Sequence, residues 1–342
     1  MKKVFIYNPD ADAQSYYRGA RPWQEIAKQT KEIQFDFVSK TSWKAFPAAW
    51  DQVGQYSLAF FQRPFHPDIV KAIANFKCQG VKIWVDWDDL VTEVPFSNLG
   101  GHIYHFLETQ KAIKSILAMA DVLTVSTDFL GQKFKGLTDA FMATIPNAWD
   151  LDLLPQLILP PKEKVCLWRG SLTHESDLYE KRREIYSVIE KNPDWQFYFM
   201  GCIPWWYAED TGQFPKGNLP NMAYPLVPDE SLSTWFDCLK KVNPAVVFTV
   251  LRDTPFNRAK SNIAWMESSW VGAAVVGPNF DEWMKPGIVN FDADFEVRLQ
   301  EALDLDTPDK QRLNELSWNN IVQNLTIAKA NKRRMDILME LV

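Results

Sequence analysis

The residue types best suited to chemistry gather in Arg252-Asp253-Thr254-Pro255-Phe256-Asn257-Arg258-Ala259-Lys260-Ser261, directly after an apolar run that ends at Leu251. Cations mixed with small polar groups after a strand suit an anionic ligand. A helical period over Lys260–Val271 follows and closes at Gly272. Lys260 and Glu267 are seven residues apart, which on a helix puts them on one face, about 10 Å apart along the axis. A lysine at the helix N-terminus adds its charge to the positive dipole end and favours phosphate. A glutamate two turns on can accept hydrogen bonds from the two hydroxyls of a ribose. A nucleoside diphosphate laid along the helix satisfies both, although a surface lysine and an incidental acid on an amphipathic helix have the same spacing.

A second loop, Trp168-Arg169-Gly170-Ser171-Leu172-Thr173-His174-Glu175-Ser176-Asp177, offers Gly170 for close backbone approach, and Ser171 or Thr173 as donors to phosphate oxygens. His174 could meet a phosphate or a sugar hydroxyl. The same residues also read as a helix N-terminus, with Thr173 or Ser176 as cap. In the first half, Trp84-Val85-Asp86-Trp87-Asp88-Asp89 closes an apolar strand with three carboxylates, a pattern that suits a divalent metal or a general base. Tyr16-Tyr17-Arg18-Gly19 and Phe61-Gln62-Arg63-Pro64 each put an arginine at a strand end, where capping and buried ion pairing are the alternatives. Trp205, Trp206 and Tyr207 could cover a base or sugar, or simply pack. Neither GxGxxG nor GxxxxGKS/T occurs, which argues against a dinucleotide oxidoreductase and a P-loop NTPase.

The elements that must carry these loops alternate. Val4–Tyr7, Ile33–Val38, Leu58–Phe61, Val81–Val85, Val122–Val125 and Phe141–Ile145 read as strands, with helices over Pro22–Lys31, Pro67–Gln79 and Gly101–Met119. Pro155, Pro160 and Pro161 mark residues 151–164 as a linker. Strands then resume at Val165–Trp168, Gln196–Met200, Ala245–Val250, Ala273–Val276 and Ile288–Phe291. Helices are expected at Ser176–Lys191, Ser231–Lys241, Lys260–Val271 and Asp294–Leu305, and a helical tail at 307–342. Two successive open α/β units joined by a proline-rich connector imply two lobes with a cleft between them. The length of 342 residues, at about 150 per domain, allows the same two domains.

With 46% hydrophobic and 23% charged residues, the chain is globular rather than disordered or fibrous. Its net charge of -6 weakens any case for sequence-independent DNA binding. No apolar run approaches the roughly 18 residues a membrane span needs. The first residues read as a strand rather than a signal peptide, and four scattered cysteines (Cys78, Cys166, Cys202, Cys238) suit a reducing compartment, so a cytoplasmic location is expected.

The ordered set resembles retaining, family-4-like glycosyltransferases of the GT-B fold over roughly residues 4 to 305. Its pieces are Arg18 with Pro22, Gln62-Arg63, Asp86-Trp87-Asp88-Asp89, Ala120-Asp121 through Val125-Ser126-Thr127, and Ile145-Pro146-Asn147-Ala148-Trp149-Asp150. They continue with Gly170-Ser171, His174 and Asp177, then Phe256-Asn257-Arg258-Ala259-Lys260-Ser261, Glu267 and Gly272. The resemblance implies two Rossmann-like, doubly wound domains facing a cleft. Residues 1–150 would bind the acceptor and residues 165–306 the nucleotide sugar, with the C-terminal helices of 307–342 able to pack back on the first domain. It implies sugar transfer from a nucleotide sugar, a UDP-sugar foremost, to an acceptor hydroxyl, with retention and no essential metal or other cofactor.

By position, Gly170, Ser171, His174, Asn257, Arg258, Lys260, Ser261 and Glu267 would hold the donor, and Lys260 would neutralise its diphosphate, helped by Arg169 or Arg258. Tyr17, Arg18, Arg63 and Asp86 would lie on the acceptor side. Were the reaction inverting, Asp88, Asp89 or His102 would be the base. A saccharide, a lipid-linked sugar, a metabolite, a protein or a modified nucleic-acid base all remain open as acceptor. The alternatives are a metal-dependent GT-A enzyme using Asp86 and Asp88, and a non-catalytic two-lobed binding protein.

Overall fold

The computed structural model describes residues 2–8, 15–39, 53–157, 162–201, 222–223 and 232–342. Its strands form two six-stranded sheets in which every pairing is parallel. The first holds β1 (Lys2–Asn8), β2 (Ile33–Ser39), β3 (Leu58–Gln62), β4 (Lys82–Trp87), β5 (Val122–Val125) and β6 (Phe141–Thr144), in the order β2-β1-β3-β4-β5-β6. The second holds β7 (Val165–Arg169), β8 (Gln196–Met200), β9 (Met222–Ala223), β10 (Val246–Phe248), β11 (Ala274–Pro278) and β12 (Ile288–Phe291), in the order β12-β11-β10-β7-β8-β9. A single-sheet GT-A arrangement is thereby excluded.

Parallel strands covered on both faces must be apolar throughout, and β3, β5 and β11 are buried along their whole length. The first sheet is flanked by α1 (Arg21–Gln29), α2 (Pro67–Cys78), α3 (Leu107–Met119) and α4 (Asp128–Phe134). The second is flanked by α5 (Glu175–Glu180), α6 (Arg182–Lys191), α7 (Leu232–Val242), α8 (Pro255–Arg258), α9 (Ile263–Trp270) and α10 (Phe295–Asp304). Aromatic residues make up 14% of the chain, and many of them are core: Trp23 lies edge-on to Trp84 at 5.2 Å, and both are fully buried.

Strand order reverses between β1 and β3 in the first sheet, and between β7 and β10 in the second. The loops beyond the carboxyl ends of those strands flank the natural ligand crevice of an open α/β sheet. Gly201 shows how tightly they pack: it has φ +105°, and a Cβ there would stand 1.7 Å from the Gly170 carbonyl oxygen.

Several helices differ from expectation. Gly101–Met119 divides into a 3-10 segment, Leu99–His105, and α3, while Ser176–Lys191 divides into α5 and α6 at Lys181. Lys260–Val271 is not one helix. Thr254 caps the short α8, accepting from the Asn257 amide at 3.2 Å, and α9 starts only after Asn262. Ser261 and Asn262 spend their side chains elsewhere: Asn147 Nδ2 donates to Ser261 Oγ at 2.8 Å, and Asn262 Nδ2 donates to the Glu282 carbonyl at 3.0 Å. Such side chains compete with helix continuation.

The tail forms α11 (Thr307–Asn324) and α12 (Ile327–Leu341), broken at Leu325-Thr326. There the Trp149 amide donates to the Leu325 carbonyl at 2.6 Å, and the Ile327 amide to the Trp149 carbonyl at 3.0 Å. From this clasp α12 runs back to the first sheet, where Ile327, Ala330, Ile337 and Leu338 join a core with Ile6, Trp23 and Trp84.

Candidate functional site

A cavity of ≈ 590 Å³ opens between the carboxyl ends of the two sheets. From the first-sheet side Tyr17, Arg63, Asp88 and Asp89 reach it, and from the second Arg169, Gly170, Ser171, His174, Lys260 and Ser261. Ten of the residues singled out from sequence thus meet in one place.

Their charges interlock. Lys260 Nζ lies 3.1 Å from Asp89 Oδ1, and Arg63 Nη2 pairs with the same carboxylate through Oδ2. Burial pushes the Asp89 carboxyl upward, but Lys260 and Arg63 outweigh it and hold it well below the usual carboxylate range. Asp88 goes the other way. Burial pushes it up to about 6 and the Asp89 charge adds to the rise, against the opposing pull of Arg63. Adjacent carboxyls with separated titrations are the arrangement expected where one must carry a proton. Arg63 itself takes a left-handed backbone, φ +48°, uncommon away from glycine and a feature that gathers at functional sites.

On the facing side, Arg169 Nη2 pairs with Glu267 Oε2, and its guanidinium lies over the Trp235 ring, 4.9 Å from the centroid. His174 Nδ1 and Asp177 Oδ2 are 3.1 Å apart. Burial and the Lys260 charge lower the histidine, against the Asp177 hydrogen bond. Ser171 and Thr173 hydroxyls stand 2.7 Å apart at the cavity edge.

Six sequence-predicted residues lie outside the cavity lining. Lys260 and Glu267 do not share a helix face, because Lys260 sits in the break before α9. Glu267 is fully buried behind Arg169, its carboxylate accepting from Arg169, from Trp235 Nε1 at 2.9 Å and from the Tyr17 hydroxyl at 3.2 Å. Arg18 and Asp86 form a sealed pair beneath the floor: Nε–Oδ1 2.9 Å, Nη2–Oδ2 2.6 Å, with Thr124 Oγ1 donating to the same carboxylate. That engagement removes Asp86 from any metal-binding pair with Asp88. Asn257 is buried, donating to Asp177 Oδ1 at 2.9 Å. Arg258 faces out, paired with Asp253. His102 is exposed in the 3-10 segment.

Among the described residues, no three His, Cys, Asp or Glu side chains form a group able to hold a metal ion. Trp205, Trp206 and Tyr207 lie outside the described residues, as do Cys202 and Ser231.

Sequence reasoning missed Trp235, Asn98, Tyr104, Thr249 and Trp283, all of which line the cavity. It named Arg252 within its loop but gave it no role; the Arg252 Nη2 donates across the cleft to Ser97 Oγ at 2.7 Å, while its Nε donates to Asp177 at 3.0 Å. An arginine in a strand-end loop was a visible signal for this last one. The others sit in ordinary apolar or polar patterns that carry no mark.

No protein-family model and no curated protein sequence matches this chain. Solved structures do. HepE of Anabaena, in complex with UDP and glucose, is similar over 100% of both chains at 12% identity, with a TM-score of 0.66. An alpha,alpha-trehalose-phosphate synthase (UDP-forming) from Burkholderia xenovorans, in complex with glucose-6-phosphate, is similar over 99% of this chain and 100% of its own, at 11% identity and TM-score 0.63. TarM, at 11% identity and TM-score 0.62, matches 86% of this chain, which spans only 56% of TarM. The fold is the two-sheet GT-B arrangement that the ordered loops imply.

Proposed function

We propose that the protein transfers a glycosyl group from a nucleoside diphosphate sugar, a UDP-sugar first among them, to an acceptor hydroxyl. The observation that carries this reading is the meeting of Arg169, Lys260 and the Gly170–Thr173 loop at one cavity between two sheets of a fold that HepE shares in complex with UDP and glucose. In this reading residues 165–306 hold the donor and residues 1–150 the acceptor.

The chemistry follows from charge. Cleavage of the sugar–phosphate bond leaves a diphosphate of growing negative charge beside a sugar of oxocarbenium character. Cations already in place against that diphosphate supply the main stabilisation. Lys260 exchanges Asp89 for a phosphate oxygen. Glu267, already engaged with three donors, serves by aiming Arg169. These two cations, rather than a metal, offset the diphosphate charge, and closure of the lobes orients the acceptor and keeps water out. With retention, the departing phosphate takes the acceptor proton. The elevated Asp88 favours a second reading, inversion with Asp88 as base; the anomeric configuration of the product, read by NMR, decides between them.

Among the described residues Cys78, Cys166 and Cys238 are free, which fits a reducing cytoplasm. No helix among the described residues is long and apolar enough to cross a membrane.

The test is a thermal-shift series with UDP-, GDP-, ADP- and dTDP-sugars, paired with an assay of nucleotide release in EDTA. A ligand at 100 times its Kd should add about 2.7 kcal/mol of stability. Stabilisation by one nucleotide class with turnover in EDTA is expected. Stabilisation without transfer to any acceptor would favour a two-lobed binding protein, and no stabilisation by any nucleotide would remove the donor assignment.

A further inference from the structure

Two oxygen acceptors on the first-sheet side of the cavity lack a donor. Asn98 is 4% exposed and Asp88 8%, both line the cavity, and neither Asn98 Oδ1 nor Asp88 Oδ1 receives a hydrogen bond. Arg63 Nε, 3.4 Å from Asp88 Oδ1, makes an ion pair with it but no hydrogen bond. Buried acceptors without donors are few in native proteins, and each one asks what supplies the missing proton.

Asn98 is also fixed in place. A Cβ on Gly101 would stand 2.5 Å from Val94 Cγ1 and 3.3 Å from Asn98 Cγ, so the Asn98 side chain rests directly against bare backbone. A Cβ on Gly100 would stand 2.5 Å from the Thr173 methyl group of the facing lobe, which closes this corner. Val91, Val94, Ile103 and Tyr104, from the same first-sheet stretch, line the cavity as well and give it apolar surface.

We propose that this corner is a subsite for an uncharged polyol, a saccharide whose hydroxyls donate to Asn98 Oδ1 and Asp88 Oδ1 while its C–H face lies on the Val91–Val94–Ile103–Tyr104 wall. The inference rests on the glycosyl-transfer reading and deepens it by naming the acceptor class. Charge excludes a phosphorylated acceptor. Once the donor diphosphate takes Lys260 and Arg169, Arg63 is left beside two carboxylates, Asp88 and Asp89, and among the described residues that line the cavity there is no further lysine or arginine for a second phosphate. A hydroxyl donor meets no such conflict.

The experiment titrates methyl glycosides of glucose, galactose, mannose and N-acetylglucosamine, and in parallel glucose 6-phosphate, into the UDP-loaded protein, following saturation-transfer NMR. At least one neutral glycoside should bind, with glucose 6-phosphate at least tenfold weaker. Asn98→Leu should weaken the glycoside at least tenfold, whereas Asn98→Asp, which keeps the acceptor oxygen, should stay within about threefold of wild type. That rescue separates lost recognition from a damaged fold.

Glucose 6-phosphate binding as tightly as the glycosides would overturn the proposal. So would full glycoside affinity in Asn98→Leu, or no glycoside binding at all. UDP affinity is measured on the same samples. If UDP itself fails to bind, the glycosyl-transfer reading falls, and the loss of glycoside binding in Asn98→Leu with its recovery in Asn98→Asp, measured on nucleotide-free protein, still supports or overturns the subsite.

Discussion

Asp86 and Asp88 stand two residues apart at the end of one strand, and each is beside an arginine. Asp86 meets Arg18 in a sealed, fully hydrogen-bonded pair under the cavity floor. Asp88 faces the cavity with Arg63 at 3.4 Å and one oxygen unserved. A sealed ion pair with every acceptor satisfied holds structure, since removing one partner strands a charge. An open one with spare acceptors, an elevated carboxyl and a strained arginine backbone holds capacity for a ligand. Residue type is the same in both, and burial with hydrogen-bond completeness separates them.

Three measurements can break or sharpen that contrast. The largest effect belongs to Asp86→Ala, which leaves Arg18 buried and unpaired; urea unfolding should show a loss of about 3–5 kcal/mol. A loss below about 1 kcal/mol would mean the pair is not the structural member of the two. Next comes Lys260→Ala, on the cavity side. It should leave stability nearly intact but lower kcat/KM for glycosyl transfer by about 10²–10³, the usual cost of one preorganised charge partner. A fall in stability without a fall in transfer would reverse the roles.

The smallest effect is in pH. Asp88 is protonated below about 6, whereas Asp89, held low, stays ionised across the same window. If Asp88 takes a proton, kcat/KM should drop about tenfold per pH unit below that point, and Asp88→Asn should flatten the limb while lowering the plateau. An unchanged limb in the variant would assign it to another group and leave retention with a phosphate acceptor as the mechanism.

Much of this was readable from sequence because buried parallel strands announce themselves as unbroken apolar runs, and the polar loops after them had to lie at the crevice. Lys260, Arg169 and Asp88 were found by that logic. What escaped notice was set by partners far along the chain. Glu267 looked free on a helix face, yet it is claimed by Tyr17, 250 residues away, and by Trp235, 32 residues away. The helix expected to begin at Lys260 broke because Ser261 and Asn262 serve Asn147 and Glu282. Local periodicity carries no trace of such bonds, and Asn98, in a loop without motif, gave no reason for attention.

The clasp at Trp149, Leu325 and Ile327 means that the chain passes between the halves twice at one edge, once on the way out and once on the way back. A body pinned at two neighbouring points keeps one cheap motion, a swing about the line through the pins, and loses most of its freedom to slide or twist. Each time the jaws shut, Lys260 would therefore return to the same spot opposite Asp89. Cutting the chain after Leu325 would turn that hinge into a loose joint.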